Sequence, residues 1–437
     1  MSSLLIKGGT VVETWGGTAA GADVLIDHDT IVAVIPHEEH GPPTDAVESV
    51  IQRGTEIIDA TDMIVLPGMV DTHRHTWQTV LRASAPDSDL NGYIELVHHR
   101  YGPHFSPEDV YASTLLGALE CLSAGITTLF DWCHVLNTPT HADAAVAALR
   151  DAGIRAQFGY GSPAFGTQDR GRWIEDPRQV RDRLFPTDGG LVTMALAPRG
   201  PSFSTREQTI ADYRLARDLG IRISPHVGHG IPDGRRAVEI LHELDLLGPD
   251  ITYVHGNQLT DRSVQLLADS GGGVAVAPAV EARMGHGPDP IGRLRAHGIP
   301  VGLGVDVVTS VPGDLFSVMR AALITAHPNL TTPTALRLAT IEGAAALGMA
   351  DRVGSIEPGK QADIVLLRTD TPGMAPVLDP VATVVTSADT SAVDTVLVAG
   401  ALRKRGGRLV AASSTALADA RASAERVSRT STVKLPG

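Results

Sequence analysis

Apolar and polar positions alternate in two regimes along this chain of 437 residues. Between residues 61 and 355, short apolar runs are separated by longer stretches whose apolar residues recur at helical spacing. The runs are Met63 to Asp71, Gly125 to Asp131, Ile154 to Gly159, Val192 to Ala197, Ile221 to His226, Ile251 to His255, Gly273 to Ala277 and Ile299 to Asp306. Each has the length and composition of a buried strand. The stretches between them, such as Pro107 to Ala124 and Thr205 to Leu219, open on Ser, Thr or Asp caps as helices do. Strands alternating with helices read as βα units. Eight of them predict an α/β fold, a (β/α)8 TIM-type barrel over residues 60–355.

The flanks follow the other regime. Residues 3–58 hold short β-rich pieces (Leu4 to Ile6, Ala22 to Ile26, Thr30 to Ile35) broken by Gly-Gly and Asp-His-Asp turns. Ala362 to Leu367 and Val393 to Val398 look similar. The two ends, 1–59 and 356–411, are therefore expected to meet in one small β-sandwich. The Ala/Ser/Arg-rich stretch 412–437 predicts a surface helix with a frayed end.

Composition narrows the function classes. A formal charge of −14 argues against a nucleic-acid footprint or an anionic membrane surface, both of which call for clustered Lys and Arg. Cys121 and Cys133 are too few for a disulfide framework and suit a reducing cytoplasm. No leader-like segment and no stretch of about 18 apolar residues occurs, so a cytoplasmic enzyme with a small-molecule substrate is the expectation.

The candidate chemistry sits where the apolar runs end. His73 and His75 are spaced i, i+2, which on a strand puts both imidazoles on one face. His226, His255 and Asp306 close the fifth, sixth and eighth runs, at the end of a barrel where catalytic groups gather. Histidines with a carboxylate suit Zn²⁺ or Fe²⁺, and one divalent ion per chain, zinc before iron, is expected.

The segments Pro67 to His75, Ala124 to Thr128, His226, His255, Gly304 to Asp306 and Gly354 to Val365 together resemble the amidohydrolase superfamily over nearly the whole chain. The ordering is similar to its mononuclear branch of cytosine, guanine and S-adenosylhomocysteine deaminases and triazine hydrolases. The resemblance implies His73, His75, His226 and Asp306 as metal ligands, with His255 and Asp306 orienting and deprotonating the attacking water. It also implies a homo-oligomer, a dimer or larger. Binuclear relatives commonly bridge two metals through a carbamylated lysine on the fourth strand. This chain has no lysine between Lys7 and Lys360 and reads Ala197-Pro-Arg199-Gly there, which supports a single ion and excludes a lysine Schiff base. Cys133 is the other bridging group to weigh, against a structural thiol.

Two departures from that branch bear on the reaction. Relatives usually carry a glutamate three residues after the strand-5 histidine, and His229 stands there, either as general acid or substrate contact, or as an exposed loop histidine. Relatives often read Pro-Thr-Ser-Asn after strand 7, where this chain reads Pro278-Ala-Val-Glu281. Glu281 is either a substrate contact or a solvated charge. Trp77 and Gln78 offer an aromatic face and an amide edge to a flat heterocycle, or pack beneath the first loop. Arg199 resembles an arginine that guanine deaminases set on the purine oxygen, or is a rim salt bridge. His134 lines the pocket or caps a helix. Residues 87–105 form a long first loop, a lid or a subunit contact. The expected function is hydrolysis of a C–N bond in a small N-heterocycle by a metal-activated water, deaminase-type. Hydrolysis of a lactam, amide, imidate or carbon–halogen bond without ammonia release, and a non-catalytic family member, are the alternatives.

Overall fold

The computed structural model describes residues 3–13, 18–37, 54–162, 173, 175–187, 189–229, 232–411 and 413–431. The chain opens with β1 (Leu4–Glu13), β2 (Thr18–Asp27), β3 (Thr30–Pro36), β4 (Glu56–Asp59) and β5 (Met63–Pro67). Near its other end come β15 (Ile364–Arg368), β16 (Val393–Val398), β17 (Ala401–Arg405) and β18 (Arg408–Leu409). All nine share one sheet, ordered β18-β17-β16-β15-β5-β1-β2-β3, with β4 paired to β1. The two chain ends meet where β15 runs antiparallel to β5, from Ile364 opposite Pro67 to Arg368 opposite Met63. Ile6, Val24, Ile26, Val65, Ile364, Leu366 and Leu397 form a shared apolar cluster there.

The run Met63 to Asp71, expected as one barrel strand, is two strands in two sheets. The chain crosses between them at Gly68, where a Cβ would lie 2.0 Å from Thr127 Oγ1. Only glycine fits so close an approach. Beyond it, β6 (Met69–Arg74), β7 (Ile126–Cys133), β8 (Arg155–Gly161), β9 (Val192–Ala197) and β10 (Arg222–Ile223) form a parallel five-stranded arc. A second parallel arc holds β11 (His226–Val227), β12 (Thr252–His255), β13 (Gly273–Val276) and β14 (Val301–Leu303).

Two seams join the arcs in the manner of a TIM barrel. At one, the fifth run breaks at Ser224-Pro225. The Ser224 N–H donates to Leu196 O at 2.9 Å on one arc, while Pro225 O accepts the Val254 N–H at 3.0 Å on the other. At the other seam, Arg74 and Asp306 form a parallel bridge, with the Asp306 N–H donating to His73 O at 2.8 Å and the His75 N–H to Asp306 O at 3.0 Å.

The intervening helices start as the sequence anticipates. Ser106 caps Pro107–Ser123 in a reciprocal capping box with Asp109, and Thr205 accepts the Gln208 N–H at the start of Arg206–Asp218. Helix Ser413–Thr430 lies against Pro107–Ser123. The end sheet is clamped to the barrel by Arg155, whose Nη2 and Nε donate to the two carboxylate oxygens of buried Asp363 at 2.8 and 3.0 Å. No helix of the described residues is long and apolar enough to cross a membrane.

Candidate active site

Five side chains expected from the run ends converge in the barrel. His73 and His75 leave β6, His226 begins β11, His255 ends β12, and Asp306 lies just beyond β14. Both His73 Nε2 and His75 Nε2 stand 3.3 Å from the same oxygen, Asp306 Oδ1. Ligand-capable atoms of His73, His75 and Asp306 lie within 4.8 Å of one another, as do those of His73, His226 and His255. The backbone is drawn in to allow this: a Cβ on Gly304 would sit 2.8 Å from His73 O. His255 and Asp306 themselves take left-handed φ angles of 78° and 63°, conformations that cost a non-glycine residue about 1–3 kcal/mol and cluster at functional sites.

Electrostatics prepares these groups for a cation. Burial works against the Asp306 charge, but the imidazoles of His73 and His75 hold its carboxyl well below the ordinary range. Burial pushes His73 and His255 down to about 4 and His226 well below its usual value, so all three are neutral at pH 7. Neutral imidazole nitrogens and an ionised carboxylate are the protonation states metal binding requires. Outer partners set the tautomers. His75 Nδ1 lies 2.6 Å from Trp132 O, and a carbonyl only accepts, so Nδ1 carries a hydrogen and Nε2 is the nitrogen turned toward Asp306. His255 Nδ1 lies 3.1 Å from Glu281 Oε1. The donor set fits a divalent metal ion.

A cavity opens over this cluster. His75, His226, His255 and Asp306 form its floor, while Trp132, Phe203, Met284, Leu90 and Ile94 supply apolar wall. His134, Arg199 and His229 also line it. His229 stacks on Phe203 at 5.4 Å, with ring centroids 6.4 Å from His226 and 6.2 Å from His255. Its two ring nitrogens are buried without a hydrogen-bond partner among the described residues. Burial lowers His229 to about 3, so it faces the cavity as a neutral donor and acceptor. Arg199 Nε donates to Ser162 Oγ at 3.2 Å on the same wall.

Three other expected contacts lie off the cavity wall. Trp77 is fully buried, edge-on to Phe105, His134 and His98 at 5.2 to 5.6 Å. Gln78 Nε2 donates to Tyr93 Oη at 2.6 Å. Glu281 is 2 % exposed, so it is not a solvated loop charge. It takes the Ala277 N–H at 2.7 Å and Asn257 Nδ2 at 3.1 Å. Cys133 is a buried thiol, pushed well above its usual pKa by burial.

Residue spacing gave no notice of Asn257, His286, Phe203, Tyr93 or His98. His286 packs edge-on to His255 at 4.7 Å and lines the cavity. Tyr93 and His98 come from the 87–105 segment, folded as short helical turns over Leu90–Tyr93, Ile94–Tyr101 and Gly102–His104. His98 lies 3.1 Å from His134 Nε2 and from Tyr93 Oη. The length of that loop was the signal the sequence offered for them.

The amidohydrolase family model matches residues 64–403. A 5-methylthioadenosine/S-adenosylhomocysteine deaminase of Symbiobacterium thermophilum is 31% identical over 408 residues, covering 89% of this chain and 90% of that protein. Among solved structures, a zinc-bound adenosine deaminase of Xanthomonas campestris superposes with a TM-score of 0.86 at 26% identity, covering 98% of this chain and 99% of that one. A zinc-bound atrazine chlorohydrolase of Arthrobacter aurescens gives a TM-score of 0.85 at 26% identity, covering 96% and 100%. The chain that gathers these five side chains at the ends of its barrel strands belongs to the amidohydrolase family.

Proposed function

We propose that this protein is a metal-dependent hydrolase that uses an activated water to cleave a C–N bond in a small N-heterocycle, releasing ammonia. The observation that carries the reading is the convergence of His73, His75, His226, His255 and Asp306 beneath one cavity walled by aromatic and apolar side chains. His73, His75, His226 and Asp306 would hold one divalent ion, zinc before iron. Such an ion lowers the pKa of water from about 15.7 toward 7 and offsets negative charge on the substrate.

The chain's own residues do the rest. Asp306 is ionised and placed to accept a proton from the attacking water, and His255 is placed to hold one. His229 gives one donor and one acceptor to the edge of the ring, and Arg199 gives a donor to a carbonyl or ring nitrogen. His134 closes the wall beside His75. Trp132 and Phe203 exclude water from the flat faces. Trp77 and Gln78 act from behind, holding His134, His98 and Tyr93 in place.

The named relatives favour an aminated purine ring as the first substrate to try. His229 in place of a carboxylate gives weight to a second reading, a leaving group that needs less proton help, such as a lactam, amide, imidate or halide. A cytoplasmic homo-oligomer without nucleic-acid or membrane partners fits the acidic composition, and the nine-stranded sheet is read as curling into a sandwich over its apolar cluster.

Ammonium release from zinc-loaded protein over aminopurines, aminopyrimidines, aminotriazines and pterins tests the proposal. Release from at least one of them is expected. Silence on every compound, with products formed from lactam or halide analogues, would move the assignment to the second reading.

A further inference from the structure

Among the described residues, Asp306 is the only carboxylate on the cavity wall. The next one, Glu281, is turned away from the substrate space and toward the back of His255. Its Oε1 is 3.1 Å from His255 Nδ1 and takes the Ala277 N–H at 2.7 Å, while Oε2 takes Asn257 Nδ2 at 3.1 Å. Asn257 is held in turn by Pro288 O at 3.3 Å. His286 packs edge-on against the same imidazole at 4.7 Å. His255 therefore sits on a left-handed backbone in a ring orientation that Glu281 and His286 fix from two sides.

We propose that Glu281 is a positioning residue that locks His255 with Nδ1–H turned backward and Nε2 toward the reacting carbon, making His255 the proton carrier of the reaction. The inference rests on the C–N hydrolysis read above. A carboxylate acceptor at Nδ1 selects that tautomer and favours the imidazolium that forms during transfer. The step balances: the water oxygen bonds to carbon, its proton moves by way of the Asp306 carboxylate to His255 Nε2, and that proton passes to the leaving nitrogen as the C–N bond breaks. Glu281, which does not reach the substrate space itself, thus acts one residue removed, through the imidazole. Burial, more than any neighbour, raises the Glu281 carboxyl above its ordinary value, so a purely space-filling role would be served better by an uncharged residue.

The test uses zinc-loaded protein labelled with ¹⁵N in histidine. Long-range ¹H–¹⁵N correlation should show His255 as the Nδ1–H tautomer in the wild type and in Glu281→Gln, whose amide oxygen can still accept, and should lose that signal in Glu281→Ala. An Nε2–H tautomer in the wild type, or an unchanged signal in Glu281→Ala, overturns the proposal. With any substrate that is turned over, Glu281→Gln should lower kcat about 10- to 100-fold with KM within threefold and zinc content unchanged. A raised KM at constant kcat would make Glu281 a substrate contact, and a lowered Tm at constant kcat a structural residue. Either outcome overturns the proposal. Absence of any turnover in the wild type would count against C–N hydrolysis, while the tautomer measurement still decides the role of Glu281.

Discussion

The two seams of the barrel are built from different chemistry, although both place metal-competent histidines. The seam between β6 and β14 is ionic. Asp71 Oδ1 accepts the Val305 N–H at 3.0 Å and the His73 N–H at 3.3 Å, tying the two strands together through one carboxylate. Arg74, 1 % exposed, lies 3.6 Å from Asp71 Oδ2, pairs with Glu120 and donates to Gly313 O at 3.0 Å. The seam between β10 and β11 is neutral. There the Trp132 indole N–H donates to Ser224 O at 3.0 Å, and Pro225 leaves one ladder position without a donor. The ladder runs through the first seam, in the Arg74–Asp306 bridge, and breaks at the second, at Pro225. The ionic seam carries His73, His75 and Asp306, and the neutral seam carries His226.

If this contrast is real, the ionic seam should be the more sensitive to substitution. Asp306→Asn should lower turnover at least about 10³-fold, measured as initial rate at matched zinc content, because it removes the proposed ligand and the proposed proton acceptor together. Arg74→Met leaves Asp71 buried without its cation and should cost about 3–5 kcal/mol in urea unfolding. Trp132→Phe, at the neutral seam, leaves Ser224 O without its donor and should cost about 1–3 kcal/mol in the same assay. Equal losses at Arg74 and Trp132 would erase the distinction between the seams.

The smallest effect concerns pH. His229 on the neutral-seam side has its pKa lowered from 6.5 to about 3, so the unfolded chain binds its proton more readily than the native protein does. In metal-free protein, stability should therefore be lost as pH falls from 6.5 toward 3, since there the unfolded state is the better proton binder. His229→Phe removes one such group, and circular dichroism should place its acid-unfolding midpoint a few tenths of a pH unit lower. An unchanged midpoint would mean that His229 is protonated in the native protein.

Legibility followed hydrogen-bond geometry. His73, His75, His226, His255 and Asp306 were visible in sequence because each ends an apolar run, and a strand end dictates where a side chain goes. Met63 to Asp71 read as one strand because nothing in its hydropathy marks Gly68 as the point where the chain changes sheets. The break at Ser224-Pro225 was signalled only by its proline. Glu281 was noticed as an odd carboxylate, but its place behind His255 depends on the turn of helix Pro278–Met284, which spacing alone does not give. Asn257, His286 and Phe203 sit on loops or short turns, where tertiary packing and not periodicity sets direction.

Metal content of the isolated protein tests the central claim, a single ion held by side chains from both arcs. Elemental analysis of zinc-loaded protein after dialysis should give one ion per chain, falling to near zero in both His73→Ala and His226→Ala. Two ions per chain, or full retention in either variant, would contradict the account.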